Sequence, residues 1–255
     1  MSIRPKKKFG QNFLKNKKIA EAITSLLSLN KCNQILEIGP GKGILTDFLI
    51  SPKISLKVIE IDLDLSELLR KKYSQLEIIN IDFLKFDLKK IDWDNYSIIG
   101  NFPYNISSAI LFKIIDNRNT IHEVIGMFQK EVAERICSTP NSKKYGIPSV
   151  LTQAFFKCEI LFDVGPDNFF PKPKVTSTVI KLTRKSNMDL GCDYFDFKKV
   201  VKLAFAQRRK KIKNTLKNFI NFKENNLDLL LNSRAEQLNV DDFVTLTQLI
   251  FSTKS

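Results

Sequence analysis

The chain has 255 residues, 43% of them hydrophobic and 27% charged, with 41 Lys and Arg against 27 Asp and Glu for a net charge of +14. This is a globular composition; no apolar run reaches the roughly 18 residues of a membrane span, and MSIRPKKKFGQNF lacks the apolar stretch of a secretory signal, so a cytoplasmic protein without a membrane partner is expected. Cys32, Cys137, Cys158 and Cys192 form no CxxC pair and His122 stands alone, which argues for buried reduced thiols and against zinc, disulfide or triad chemistry.

In chain order, residues 1–15 form a basic arm, and the first 25 residues carry seven Lys or Arg against one acid. Residues 16–29 place Ile19, Ala22, Ile23, Leu26 and Leu27 on a helical stripe. A strand at Gln34 to Ile38 then leads through a Gly-rich turn into a helix ending near Leu49, followed by a strand at Leu56 to Ile61 and a helix at Leu63 to Tyr73. Further strands are predicted near Glu77 to Ile81, Tyr96 to Gly100 and Glu123 to Phe128, with helices at Ile106 to Ile115 and Lys130 to Ser138. Strand and helix by turns predict an α/β fold with a Rossmann-like, doubly wound, mostly parallel sheet. Phe155 to Val164 and Val175 to Leu182 read as an antiparallel hairpin closing it across GPDNFFPKPK. The first domain is expected to span 1–185. A polar linker at Lys185 to Asp193 leads to a small all-helical domain over 186–255, with helices at 195–206 and 208–220 and shorter apolar segments at Leu227 to Leu231 and Phe243 to Ile250. Residues 198–217 hold nine basic residues and no acid, the electrostatic footprint of a nucleic-acid binder or else a solvated helix face.

The strand ends carry the chemistry. Asn101-Phe102-Pro103-Tyr104 follows Ile98-Ile99-Gly100, where ligands sit in open α/β sheets. An aromatic amine is a poor nucleophile because its lone pair is conjugated with the ring. An acceptor from the Asn101 side chain, with a backbone carbonyl fixed by rigid Pro103, would draw such an amine towards tetrahedral geometry, and Tyr104 would stack on the base. The same residues also suit a simple strand-ending turn. Glu37-Ile38-Gly39-Pro40-Gly41-Lys42-Gly43 follows the first strand without the dinucleotide spacing GxGxxG. Glu60 ends the second strand, where an acid can bind ribose hydroxyls, and Asp82 the third, where a carboxylate can accept from an adenine amino group. Together these suit a nucleoside cofactor.

With these residues in place, the chain resembles the class I S-adenosylmethionine-dependent methyltransferases, and more closely the ribosomal RNA adenine N6-dimethyltransferase family called KsgA in bacteria. The likeness covers nearly the whole chain: KFGQNFL from Lys8, EIGPGKG from Glu37, VIEID from Val58, NFPYNISS from Asn101, FQKEVAERI from Phe128, YGIPSVLTQ from Tyr145 and FFPKPKVTS from Phe169. AFAQRRKKIKNTL from Ala204 and RAEQLNVDDFVTL from Arg234 resemble the helical-domain blocks of the small-subunit enzymes; the large-subunit enzymes lack them in this form. The resemblance implies that Asn12 and Leu14 lie over S-adenosylmethionine, Gly39 and Gly41 approach it, Glu60 meets its ribose and Asp82 its adenine. Asn101 would face both cofactor and target, and Phe169 would pack on the flipped base opposite Tyr104. It further implies a monomer that dimethylates two adjacent adenosines near the 3′ end of small-subunit ribosomal RNA in the immature subunit. A catalytically idle RNA-binding assembly factor and a large-subunit methyltransferase are the alternatives. Departures are Phe102 for the commoner Leu, Pro148 within a usual Leu-Ser pair, and bulky Phe170 beside Phe169.

Overall fold

The strands pair much as the alternation predicts in a computed structural model that describes residues 4–217, 219 and 228–251. In chain order come β1 (Phe13–Leu14), α1 (Lys17–Thr24), β2 (Gln34–Ile38), α2 (Thr46–Leu49), β3 (Ser55–Glu60), α3 (Leu63–Lys72), β4 (Glu77–Asn80), β5 (Tyr96–Asn101), α4 (Ser107–Asp116) and β6 (Ile121–Gln129). There follow α5 (Lys130–Cys137), α6 (Ile147–Gln153), β7 (Phe156–Val164), β8 (Phe169–Phe170), β9 (Ser177–Arg184), α7 (Tyr194–Ala206), α8 (Ile212–Thr215), α9 (Asp228–Asn232) and α10 (Val240–Phe251). Seven strands form one sheet in the order β4-β3-β2-β5-β6-β9-β7. The pairs from β4 through β6 are parallel and β6 meets β9 antiparallel, a Rossmann-like sheet.

Parallel strands covered on both faces need continuous apolar runs, and Ile35, Leu36, Ile98, Ile99, Val124 and Ile125 are fully buried accordingly. From β2 the chain steps outward to β3 and β4, then returns to lay β5 on the other flank. Where the order reverses, the loops diverge and leave a crevice at the carboxyl ends of β2 and β5.

Four features differ from the sequence reading. Within α1 the buried small residue is Ala20, in a core cluster with Ile23, Leu45 and Leu49, and Ala22 is exposed. The segment between β7 and β9 is more than a hairpin loop, since Phe13 pairs with Phe170 and Leu14 with Phe169 in a second, two-stranded sheet. The helix expected over 208–220 is reduced to α8 among the described residues; a bridge from Lys211 to Arg234 and the engagement of Arg208 hold the preceding run in turns. Phe219 is exposed, while Ile220 and Leu227 lie outside the described residues.

Finally, the chain divides into two compact units, residues 1–133 with 157–184, and residues 134–156 with 185–255. The segment 134–156, read as part of the first domain, therefore belongs with the helices. Long-range contacts within that unit account for this: the Tyr145 and Phe205 rings lie 6.2 Å apart and those of Phe155 and Tyr194 5.5 Å apart, and Asn141 N–H donates to the Glu236 carbonyl. Cys32 is buried, whereas Cys137, Cys158 and Cys192 are only half-buried. No described helix is long and apolar enough to cross a membrane.

Candidate active site

The crevice is open to solvent and takes in about 950 Å³ of space, open solvent included. Its floor is the turn after β2. Gly39 and Gly41 take positive φ of 66° and 59°, which side-chained residues rarely adopt. Gly39 has no atom within 4 Å of where a Cβ would sit, so its backbone is open to a ligand. At Gly41 a Cβ would lie 3.0 Å from the Phe13 ring, which packs down from the arm.

Two buried carboxyls back this turn. Glu60 Oε2 accepts the Gly41 N–H at 3.1 Å and Oε1 the Asp62 N–H at 2.9 Å, so the acid fixes the loop that it faces. Burial raises its pKa against the opposing pull of those two N–H groups. Glu37, at the end of β2, is fully buried and accepts from Thr46 Oγ1 at 2.7 Å. Burial pushes its carboxyl up to about 8, against that hydroxyl and with Glu60 and Asp47 adding in the same direction.

The Asn101 turn is anchored by its apolar member. The Phe102 ring sits edge-on to Phe128 at 5.1 Å in a socket formed by Gly100 and Gly126, which pair across β5 and β6; a Cβ at either would come within 2.8 Å of that ring. Phe102 thus replaces the commoner Leu as a buried anchor. Asn101 Nδ2 donates to the Asn12 carbonyl at 2.8 Å, which leaves Oδ1 as an acceptor. The Pro103 carbonyl accepts from Ile106 N–H and the Tyr104 carbonyl from Ser107 Oγ. Tyr104 shares a 2.6 Å hydrogen bond with Ser177 Oγ, which fixes the ring.

The arm closes the crevice from above. Lys6 Nζ lies 2.5 Å from Asp62 and 2.6 Å from Asp64, and Gln11 Nε2 donates to Asp62 at 3.0 Å. Asp62 also caps α3 by accepting from Asp64 N–H. Burial raises the Asp62 carboxyl, but Lys6 and Gln11 outweigh it and hold the group below the usual range.

Asn12, Leu14, Gly39, Gly41, Glu60, Asp82, Asn101 and Tyr104 all line this one crevice. Asp82 lies two residues beyond β4, and one of its oxygens is used by Leu84 N–H at 2.9 Å. Phe169 is the exception. Its β8 pairing turns it into the core beside Leu14, Met127 and Val179, only 1% exposed and away from the crevice wall. Glu37, Phe13 and Ser177 escaped the sequence reading as site residues, although each lies inside a block it singled out.

Known proteins carry the same plan. A profile of the ribosomal RNA adenine dimethylase family matches residues 3–251. Ribosomal RNA small subunit methyltransferase A of Flavobacterium johnsoniae is 48% identical over 252 residues, covering 97% of this chain and 96% of its own. The protein of the same name from Cytophaga hutchinsonii is 48% identical over 255 residues, covering 97% and 98%. The crystal structure of a dimethyladenosine transferase from Plasmodium falciparum superposes with a TM-score of 0.78 at 25% identity, over 95% of this chain and 98% of that one. The match runs through both compact units and through every motif that lines the crevice, and the chain belongs to the ribosomal RNA adenine dimethylase family.

Proposed function

We propose that this protein transfers methyl groups from S-adenosylmethionine to N6 of two adjacent adenosines in a hairpin near the 3′ end of small-subunit ribosomal RNA. The product is N6,N6-dimethyladenosine, the substrate is the immature small subunit in the cytoplasm, and the enzyme acts as a monomer. One observation carries the reading: Asn101 spends its amide N–H on the Asn12 carbonyl and keeps its oxygen to accept from an amine.

The crevice fits the cofactor on its own geometry. Gly39 is open to a close approach, Gly41 is locked under Phe13, and Glu60 is buried at the strand end with oxygens that have lone pairs beyond the two N–H bonds they accept. Asn12, Leu14, Gly39, Gly41 and Glu60 would hold it, with Asp82 at the adenine end. When bound, S-adenosylmethionine supplies an activated methyl group. The chain supplies position and polarity. Asn101 Oδ1 and the Phe102 carbonyl, the acceptor of this turn left once Pro103 and Tyr104 are engaged, would accept the two N–H groups of the target amine and turn its lone pair out of conjugation. Tyr104, held by Ser177, would stack on the extruded base, which costs little to unstack from a loop. A methylated amine is cationic and sheds its proton to water, so no basic side chain is required.

An idle assembly factor would be free to lose Gly39, Glu60, Asp82 or Asn101, yet all four line the crevice. Mapping of methylated adenines after the purified protein has reacted with S-adenosylmethionine and immature small subunits tests the proposal. Two adjacent dimethylated adenosines near the 3′ end are expected; modification of large-subunit RNA instead, or none at all, overturns it.

A further inference from the structure

The two-stranded sheet of β1 and β8 has two unlike faces. Directly opposed residues of an antiparallel pair point the same way, and successive residues alternate. Leu14 and Phe169 form one pair, both buried in the core cluster, with Leu14 also reaching the crevice lining. Phe13 and Phe170 form the other, on the opposite face. Phe13 packs over Gly41 in the crevice, with Lys42 Nζ 5.2 Å from its ring centroid. Phe170 is 56% exposed. Cβ atoms of opposed residues lie about 5 Å apart, so Phe170 stands next to Phe13, a residue that lines the crevice, on the same face of the ladder. Lys15, Lys172 and Lys174 are exposed along the same chain segments; Asp167 is the acid there and pairs with Lys172 at 2.6 Å.

We propose that Phe170 is a stacking platform for the base next to the adenosine that enters the crevice. An unpaired nucleotide presents a flat apolar face between two phosphates, and a rigidly mounted aromatic ring among lysines matches both. A protein partner would call for a broad contiguous apolar surface, whereas the exposed apolar neighbours along this segment, Pro171 and Val175, are interrupted by Lys172 and Lys174. The inference rests on the RNA-methylating reading of the crevice and adds a contact outside the reacting pocket.

Two measurements on the full-length protein decide it. The first is KM for immature small subunits. The second is the fluorescence of a hairpin RNA carrying 2-aminopurine beside the target adenosine. Phe170→Ala is expected to raise KM by about tenfold or more and to abolish quenching of the fluorophore, with S-adenosylmethionine affinity unchanged; Phe170→Trp should retain both parental values. A parental KM in the Ala variant, or full restoration by Phe170→Leu, which supplies bulk without a π face, overturns the platform. Failure of the parent protein to methylate would count against the functional reading instead, and the quenching, which requires only binding, would still decide the role of Phe170.

Discussion

At the scale of single residues, buried polar groups decide both chemistry and stability. Asn101→Ala should keep cofactor and RNA affinity but lose about 10²-fold in turnover, because the lost acceptor acts chiefly as the amine becomes tetrahedral. Single-turnover rates at saturating RNA measure this, and near-parental rates would refute the mechanism. Glu37 gives a separate test through pH. Its folded-state carboxyl is raised to about 8, so below its ordinary value of 4.5 it is neutral whether the chain is folded or not. Between those values the unfolded chain ionises while the folded one does not, and stability should fall as pH rises, by up to about 1.4 kcal/mol per pH unit for this one proton. Glu37→Gln keeps an acceptor for Thr46 and removes the proton, so its melting temperature should decline less than that of the parent from pH 5 to pH 8. Parallel declines would show that this carboxyl does not titrate in that window.

Among the elements, the arm is held by few contacts. Asp62→Asn preserves the cap on α3 but removes the charge that Lys6 reaches, so the arm loses its charge-assisted hydrogen bond there. Cofactor affinity should drop about three- to tenfold, with faster tryptic cleavage after Lys7 and Lys8; a calorimetric titration and a digestion time course check both. Unchanged values would mean that the ladder with β8 suffices to hold the arm. Which elements the sequence discloses follows from where their determinants lie. The parallel strands were legible because runs such as Ile98-Ile99 are apolar whichever face is considered, and the crevice residues were legible because ligands sit at strand ends. The β1 and β8 ladder was not, since a two-residue strand has no periodicity of its own. Phe169 was misplaced for the same reason: its direction depends on pairing with Leu14, more than 150 residues away. Glu37 and Ser177 read as ordinary strand residues until the partner across space is seen.

For the whole molecule, the basic surface is smaller than the raw charge count. Lys6 is committed to Asp62 and Asp64, while Arg208 donates to Glu236 and to the Ser142 and Lys143 carbonyls, so both act as internal ties. Arg209, Lys210 and Lys211 are exposed. If each meets one phosphate, neutralising these three should lower the slope of log affinity for RNA against log salt by about 2 to 3 units, with cofactor affinity unaltered. An unchanged slope would mark the run as solvated surface. The helical unit has a further consequence through its assembly from two stretches of chain, 134–156 and 185–255. A cut after residue 184 would strip Tyr145 and Phe155 of Phe205 and Tyr194 and leave Ser142 and Lys143 without Arg208, so the remaining protein should aggregate or melt far below the parent, as light scattering during a thermal ramp would register. The same interleaving governs inheritance: a single recombination event cannot exchange one whole unit for that of a relative without splitting a unit between two parents.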